Sequence, residues 1–414
     1  MAGKNVFYGK EGGATVTSTI DGLLKEHYVM KNITDTVNMQ TYFLSRLTTE
    51  KTQFGRRFVF PLRFAVGQGQ GNRRENEKLP DPGFGEYDQA SGNVRYQYGT
   101  MYITGPAIES TSGSVAAFKS SLKAAMKDLR DGFKLETHYQ SWGGEDGIIA
   151  KVNGEHTAKT EISVKDPYGI SYTNSTLSAA EKHVLFHRGM NLVFGSTNIQ
   201  RQVVGKKPNG NIVLNADTTL ADNDVIARGD SATLHSKGKN YLGMADIFKQ
   251  TGTYLNVPRE NEPNWTTNEL DLGGNALSED YLQQAFDTAE IFGNGMINPN
   301  MLISNHKVRR LYVSLLEGRK RYVKPMNLQG GYKALEYNGE PWVVDKLCPP
   351  ERIYYMDTRE ICWFYMKRIG WLQKDGSVLK WVDEMDAWRC VLATYRNFAC
   401  KLPANQTVMT NVVK

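Results

Sequence analysis

The chain has 414 residues, 40% of them hydrophobic and 23% charged, which suits a folded protein with a sizeable core and excludes wholesale disorder. No stretch approaches the roughly 20 consecutive apolar residues that cross a bilayer, and the N-terminus lacks the apolar run of a secretory signal, so no membrane partner is expected. The formal charge of +6 sits in one place: Lys307, Arg309, Arg310, Arg319, Lys320, Arg321 and Lys324, set against Glu317, account for all of it.

In chain order, residues 1–52 read as an N-terminal arm, with a short helix expected from about Asp35 to Leu47. Phe58, Phe60, Leu62 and Phe64 then alternate with Arg57, Val59, Pro61 and Arg63, a period of two that predicts a strand. Pro61 cannot donate to a ladder and places that strand at an edge. The alternation of Val94, Tyr96, Tyr98, Thr100 and Tyr102 predicts its return partner, with Ala65 to Gly92 between them as a long, glycine-rich, polar loop. Connections of that length are uncommon in compact domains unless they work. A two-stranded ribbon with such a tip needs support from a neighbour.

Ser114 to Ser141 reads as a long amphipathic helix, because Phe118, Leu122, Met126, Leu129 and Phe133 step by three or four residues. Ser112 or Ser114 can cap it, and Gly132 marks a candidate bend. From Lys182 to Asp246 short strands dominate. Pro208-Asn209-Gly210-Asn211 lies between two β-branched runs, where Asn-Gly fits a type I′ hairpin turn. The last third alternates helix and strand. Ser278 caps a helix facing inward with Leu282, Phe286, Ala289 and Phe292, and Asn305 caps a second with Val308, Leu311, Tyr312 and Leu315. A final strand through Trp388 to Leu392 precedes what reads as a polar tail.

Chemistry is hard to place on this sequence. His183 and His187 have zincin spacing but lack the intervening Glu. Gly229-Asp230-Ser231 has the look of an esterase nucleophile signature without a strand-to-helix elbow. Asp222, Asn223 and Asp224 lack EF-hand spacing and read as turn residues. Neither a phosphate loop nor a dinucleotide fingerprint is present, and the Gly67-Gln-Gly-Gln-Gly run leads into Arg73-Arg74 rather than an apolar helix. Cys348, Cys362, Cys390 and Cys400 read as buried free thiols. No catalytic, cofactor or metal site is nominated. The basic segment 307–324 suits a solvated helix face, an intersubunit ion-pair surface, or sequence-independent attraction to nucleic acid.

The order of elements carries a resemblance. An N-terminal region, a long extended loop, a long helix, and an α/β region closed by the run from Gly339 to Asp357 together resemble the major capsid protein of tailed double-stranded DNA bacteriophages, the Hong Kong 97-type fold. The run Ser278 to Ser304 resembles that family's axial domain. The resemblance implies an α+β chain with an N-terminal arm (1–52), an E-loop with flanking strands (53–104) laid over an adjacent subunit, and a peripheral domain (105–164) with spine helix 114–141. An axial domain (165–355) with a β-rich insertion near 189–243 follows, then C-terminal strands (356–414) returning to the peripheral domain. On the E-loop it implies Arg57, Arg63, Arg73, Arg74, Lys78, Phe84 and Tyr87 as assembly residues. Lys78 is the lysine near the tip, the residue type that cross-links to a neighbour's Asn in some relatives.

The function so implied is structural, not enzymatic. Copies would assemble as hexamers and pentamers into an icosahedral head around the genome, built in the host cytoplasm and ending in the virion. Portal and scaffolding proteins, a decoration protein, and non-specific contact with packaged DNA are the expected partners. The alternatives are an encapsulin-type compartment shell, which shares the fold, and a hydrolase with a β-rich accessory domain.

Overall fold

A computed structural model describes residues 42–52, 55–109, 115–172, 177–195, 199–229, 239–260, 262–292, 299–318, 326–327, 333–373 and 378–413. The expected N-terminal arm up to residue 41, the caps Ser112 and Ser114, Asp230-Ser231, and Arg319, Lys320, Arg321 and Lys324 lie outside the described residues. The elements that organise the chain are β1 (Arg57–Ala65), β2 (Glu86–Asn93), β3 (Arg95–Thr104), α1 (Val115–Trp142), α2 (Glu279–Phe292) and α3 (His306–Gly318). The chain divides into two compact units, the first holding 96–137 and 367–395, the second 40–95, 138–366 and 396–414.

In the first unit β3 pairs with the strand Met385–Cys400, which also pairs with Ile361–Trp371 and Lys380–Val382. One face of β3 packs on the long helix. Gln97 donates to the Phe133 carbonyl at 3.3 Å and accepts from Thr137 Oγ1 at 3.0 Å. Gly99 lies so close to Leu129 and Phe133 that a Cβ there would meet their side chains at 3.1 and 3.2 Å. The other face carries Tyr96 and Tyr98, exposed and edge-on to Tyr395 at 5.1 and 5.8 Å. The helix runs unbroken for 28 residues. Gly132 produces no break; it sits exposed, with open space where a Cβ would stand.

β3 is therefore not the return strand of β1. That partner is β2, in register from Arg57↔Asn93 to Ala65↔Glu86 with a shift near Arg63. The alternation in β3 is real, but its phase is inverted: the tyrosines face solvent while Gln97, Gly99 and Ile103 face the helix or the interior.

The second unit holds two seven-stranded sheets. One is antiparallel throughout and runs in the order 156–162, 212–220, 200–206, 191–194, 225–228, 148–152, 164–165. The β-rich segment thus extends before residue 189 to include strands from 148–165. Its hairpin at 207–211 forms where expected, with a different turn. Pro208 holds φ near −65°, which a type I′ turn cannot accept. The left-handed residue is Gly210 alone (φ 90°), and its N–H donates to the Lys207 carbonyl at 3.0 Å.

The other sheet is mixed, in the order 268–271, 407–410, 353–356, 301–304, 340–344, 333–337, 326–327. Leu282, Ala285 and Phe286 of α2 and Val308, Tyr312 and Leu316 of α3 pack with Trp342, Ile353, Tyr355 and Met409 into one core. Both predicted caps form: Tyr281 N–H donates to Ser278 Oγ at 3.2 Å, and Val308 N–H to Asn305 Oδ1 at 2.9 Å. The expected polar tail is instead a fully buried strand, Thr407–Thr410, parallel to Asn268–Asp271 and antiparallel to Ile353–Met356.

Two buried carboxylates tie this unit together. Asp345, 3% exposed, accepts from Trp142 Nε1 at 3.0 Å and Leu347 N–H at 2.8 Å, and lies 2.6 Å from Nε2 of fully buried His138. Asp246 Oδ2 accepts from Glu145 N–H at 2.6 Å, just past the end of α1. Burial pushes the Asp246 carboxyl up to about 6; Lys249 pulls against the shift and Asp146 adds to it. An unfolded aspartate titrates near 4, so folding penalises the ionised form above about pH 6 and the penalty fades as pH falls toward 4. Asp246→Asn is expected to gain stability over the parent as pH rises from 4 to 7, by up to about 3 kcal/mol. Thermal unfolding of both proteins across that range reads this out; parallel curves would show that Asp246 titrates normally.

Candidate assembly surface

The hairpin β1–β2 is fixed at its base and uncovered at its far end. At the base, Phe58 is 1% exposed and stacks on Phe364 at 4.4 Å, with planes 4° apart. Phe60 and Phe64 approach Trp265 at 6.3 and 6.5 Å. The period-two pattern sends these rings to one face, and such burial and stacking make the base hard to displace. Arg57 Nη2 donates to Ser91 Oγ at 2.6 Å. The Ser91 N–H donates to the Leu255 carbonyl at 2.9 Å, while Asn256 Nδ2 donates to the Ser91 carbonyl at 3.1 Å. Leu255 and Asn256 are both left-handed (φ 51° and 67°), which turns a carbonyl and an amide toward β2.

Beyond the ladder the two limbs stay together without strand bonds. A Cβ on Gly67 would stand 2.6 Å from the Gly83 oxygen, and one on Gly83 would stand 2.7 Å from the nitrogens of Gln68 and Gly69. Only glycine permits backbones that close. At the tip, Glu77 N–H donates to the Arg74 carbonyl at 3.2 Å, and the Glu77 carboxylate accepts from Arg74 N–H at 2.8 Å. Arg73 Nε donates to the Lys78 carbonyl at 3.0 Å, and Lys78 pairs with Asp81 at 2.8 Å. The glycine-rich segment therefore holds a defined ribbon. Sequence reading missed this, although glycines at alternate positions 67, 69 and 71 are a fair signal of close backbone approach.

This ribbon exposes apolar side chains that its own chain does not cover. Leu79 is 78% exposed, Phe84 88% and Tyr87 70%, and nearly every residue from 66 to 89 is exposed or half-exposed. The structure gathers Arg73, Arg74 and Lys78 at the tip, puts Phe84 and Tyr87 on the return limb, and leaves Arg63 exposed on β1. Arg57 is turned back into the base.

In the basic segment Lys307 is engaged internally. Its Nζ lies 2.7 Å from the carboxylate of fully buried Glu351. Arg309 is half-buried and Arg310 exposed on the same first turns of α3. His183 falls on a short helix, Ala179–Val184, and His187 beyond its end, where it stacks on Tyr139 at 6.3 Å. The four cysteines are free and buried; burial pushes the Cys390 thiol up to about 11 and raises the other three as well.

No family model matches the sequence, and no curated protein matches it. Solved structures do match the fold. The cyanophage A-1(L) capsid asymmetric unit aligns with a TM-score of 0.54 at 12% identity, over 92% of this chain and 96% of the other. The capsid of an empty GTA particle aligns with a TM-score of 0.51 at 8% identity, over 95% and 97%. The holo-SrpI encapsulin complex of Synechococcus elongatus PCC 7942 aligns at 0.45, with 8% identity over 92% of each chain. Over nearly its whole length, the chain has the mixed α+β capsid fold, of Hong Kong 97 type.

Proposed function

We propose that the chain is the major capsid protein of a tailed double-stranded DNA phage, assembling with itself into hexamers and pentamers of an icosahedral head. The observation that carries this reading is the uncovered ribbon, with Leu79, Phe84 and Tyr87 exposed on a chain of capsid fold. A projecting ribbon and the surface that receives it are different patches, so their contact is head-to-tail, and such contacts close into rings. The β1–β2 hairpin then serves as the E-loop, α1 as the spine of a peripheral domain that also holds β3 and 367–395, and the mixed sheet with α2 and α3, closed by the C-terminal strand Thr407–Thr410, as the core of the axial domain. Repeating one modest contact in every subunit makes the closed shell cooperative.

On this reading the protein resides in the virion after assembly in the host cytoplasm, with portal, scaffolding and decoration proteins as partners. Packaged DNA meets basic side chains of the 307–324 segment, Arg310 foremost among those described. Negative-stain microscopy and sedimentation of the purified protein test the proposal. Closed shells with five- and six-fold capsomers are expected; a small soluble oligomer under all assembly conditions would overturn it. Particles from the natural source carrying an enzyme and no DNA would move the assignment to an encapsulin.

A further inference from the structure

Basic side chains from four separate segments gather beside the start of α3. The short helix Ala179–Val184 is tied to that start by Asn305 Nδ2, which donates to Glu181 Oε1 at 3.1 Å. The strand Gln200–Lys206 is tied to the same short helix by Lys206 Nζ, which donates to the His183 carbonyl at 2.5 Å. The turn after Glu340–Val344 is tied in by the Asp345 N–H, which donates to the Ser304 carbonyl at 3.0 Å and sets Lys346 alongside. His183, Lys206, Lys346, His306, Arg309 and Arg310 are thereby brought together. Partial burial and then Lys346 hold Lys206 below the usual lysine range, and partial burial and then Lys206 hold His183 low. Like charges so placed raise one another's energy. The two acids nearby are already committed. Glu181 accepts from Ser178 and Asn305, and Asp345 is buried on Trp142, Leu347 and His138.

We propose that this cluster is a phosphate-binding site, with Lys206, Lys346 and His183 at its centre and His306, Arg309 and Arg310 at its rim. Neighbouring bases show what is unusual about it. Lys207 is neutralised by Glu161 and Lys307 by Glu351, whereas Lys206, His306, Arg309 and Arg310 have no carboxylate partner among the described residues. His183 Nε2 is buried with no partner among them either. The first turn of α3 holds no acid, although the positive end of a helix favours one. A phosphate group answers all of these at once, because its several oxygens accept from lysine, imidazole and guanidinium donors together. Its charge also relieves the repulsion between Lys206 and Lys346. The phosphate can come from a duplex backbone or from a free phosphate compound. The duplex as source rests on the shell-forming reading above; the site itself does not.

The test compares Lys206→Gln/Lys346→Gln with a charge-matched control, Lys159→Gln/Lys239→Gln, which removes two exposed lysines elsewhere. Anisotropy of a short fluorescent duplex reads the first arm on the full chain. The cluster variant is expected to bind about tenfold more weakly at low salt, and its slope of log affinity against log salt to flatten by about 1 to 2, with the control close to the parent. Inorganic phosphate against chloride at equal ionic strength reads the second arm. Millimolar phosphate is expected to raise the parent's melting temperature by about 2 °C and the cluster variant's not at all. Lys206→Gln alone is expected to lose about threefold in duplex affinity, and decides the matter if the double variant does not fold. A phosphate response that the cluster variant abolishes, with duplex affinity unchanged, would support the site and exclude the duplex as its source. Equal responses from parent, cluster variant and control in both arms would overturn the site. Whether shells form bears on the shell reading alone.

Discussion

Replacing residues 68–83 with a two-residue Asn-Gly turn is expected to give a subunit that folds normally and forms no shells. The reason lies in where the ribbon is held. All of its buried anchorage is at the base: Phe58 on Phe364, Phe60 and Phe64 near Trp265, and Ser91 between Arg57, Leu255 and Asn256. The excised residues are exposed or half-exposed, and their side chains bond among themselves at the tip. Their removal should change unfolding free energy by less than about 0.5 kcal/mol, in the range of ordinary surface changes. Assembly, by contrast, loses Leu79 and the tip in every subunit, and the deficit multiplies around a closed shell. Circular dichroism melts give the first quantity and microscopy with sedimentation the second. Normal shells from the shortened chain would show that the ribbon is not an intersubunit element. A subunit that cannot fold would show that it supports its own unit.

The sequence was informative where period and capping agree. The long helix, α2 and α3, their caps at Ser278 and Asn305, and strand β1 all appear near their expected bounds, because each buries one apolar face at its own repeat. It misled where polar residues are buried with partners. Asn405, Gln406, Thr407 and Thr410 look like a tail, yet Asn405 Nδ2 donates to Asp357 at 3.1 Å, Gln406 Oε1 accepts from Asp357 N–H at 3.0 Å, and Thr410 Oγ1 donates to Glu269 at 3.2 Å. Buried polar groups that find partners in this way carry no hydropathy signal. The pairing of β1 was missed for a related reason. Glu86 to Asn93 contains two acids and a glycine, so it reads as loop, and only the aromatic alternation of β3 competes for the partner's place. Of the candidate surface, the exposed residues were legible in number but not in arrangement. Nothing in composition shows that Gly67, Gly69 and Gly83 bring two limbs into backbone contact, or that Lys307 points inward to Glu351.

Asp345→Ala is expected to destabilise the subunit by about 3–5 kcal/mol, the range for removing one partner from a buried charged network. The carboxylate accepts from the buried Trp142 indole N–H and from one backbone N–H, lies in hydrogen-bond contact with His138 Nε2, and stands at the end of the strand Glu340–Val344 in the mixed sheet. Without it, His138 is left fully buried with no described partner at either ring nitrogen, and the Trp142 indole N–H is left unpaired. Asp345→Asn discriminates between shape and charge. It keeps the volume but can turn an NH2 toward donors, so it should recover less than half of the loss if acceptor capacity is what matters. Urea unfolding at neutral pH measures both variants. A cost below about 1 kcal/mol for the alanine variant would mean that water or a side-chain shift replaces the carboxylate, and that the hub is dispensable. Subunits carrying the alanine substitution should nonetheless assemble when kept cold and concentrated. The network lies within one unit, and the ribbon proposed to meet the neighbour is anchored elsewhere, on Phe364, Trp265 and Leu255.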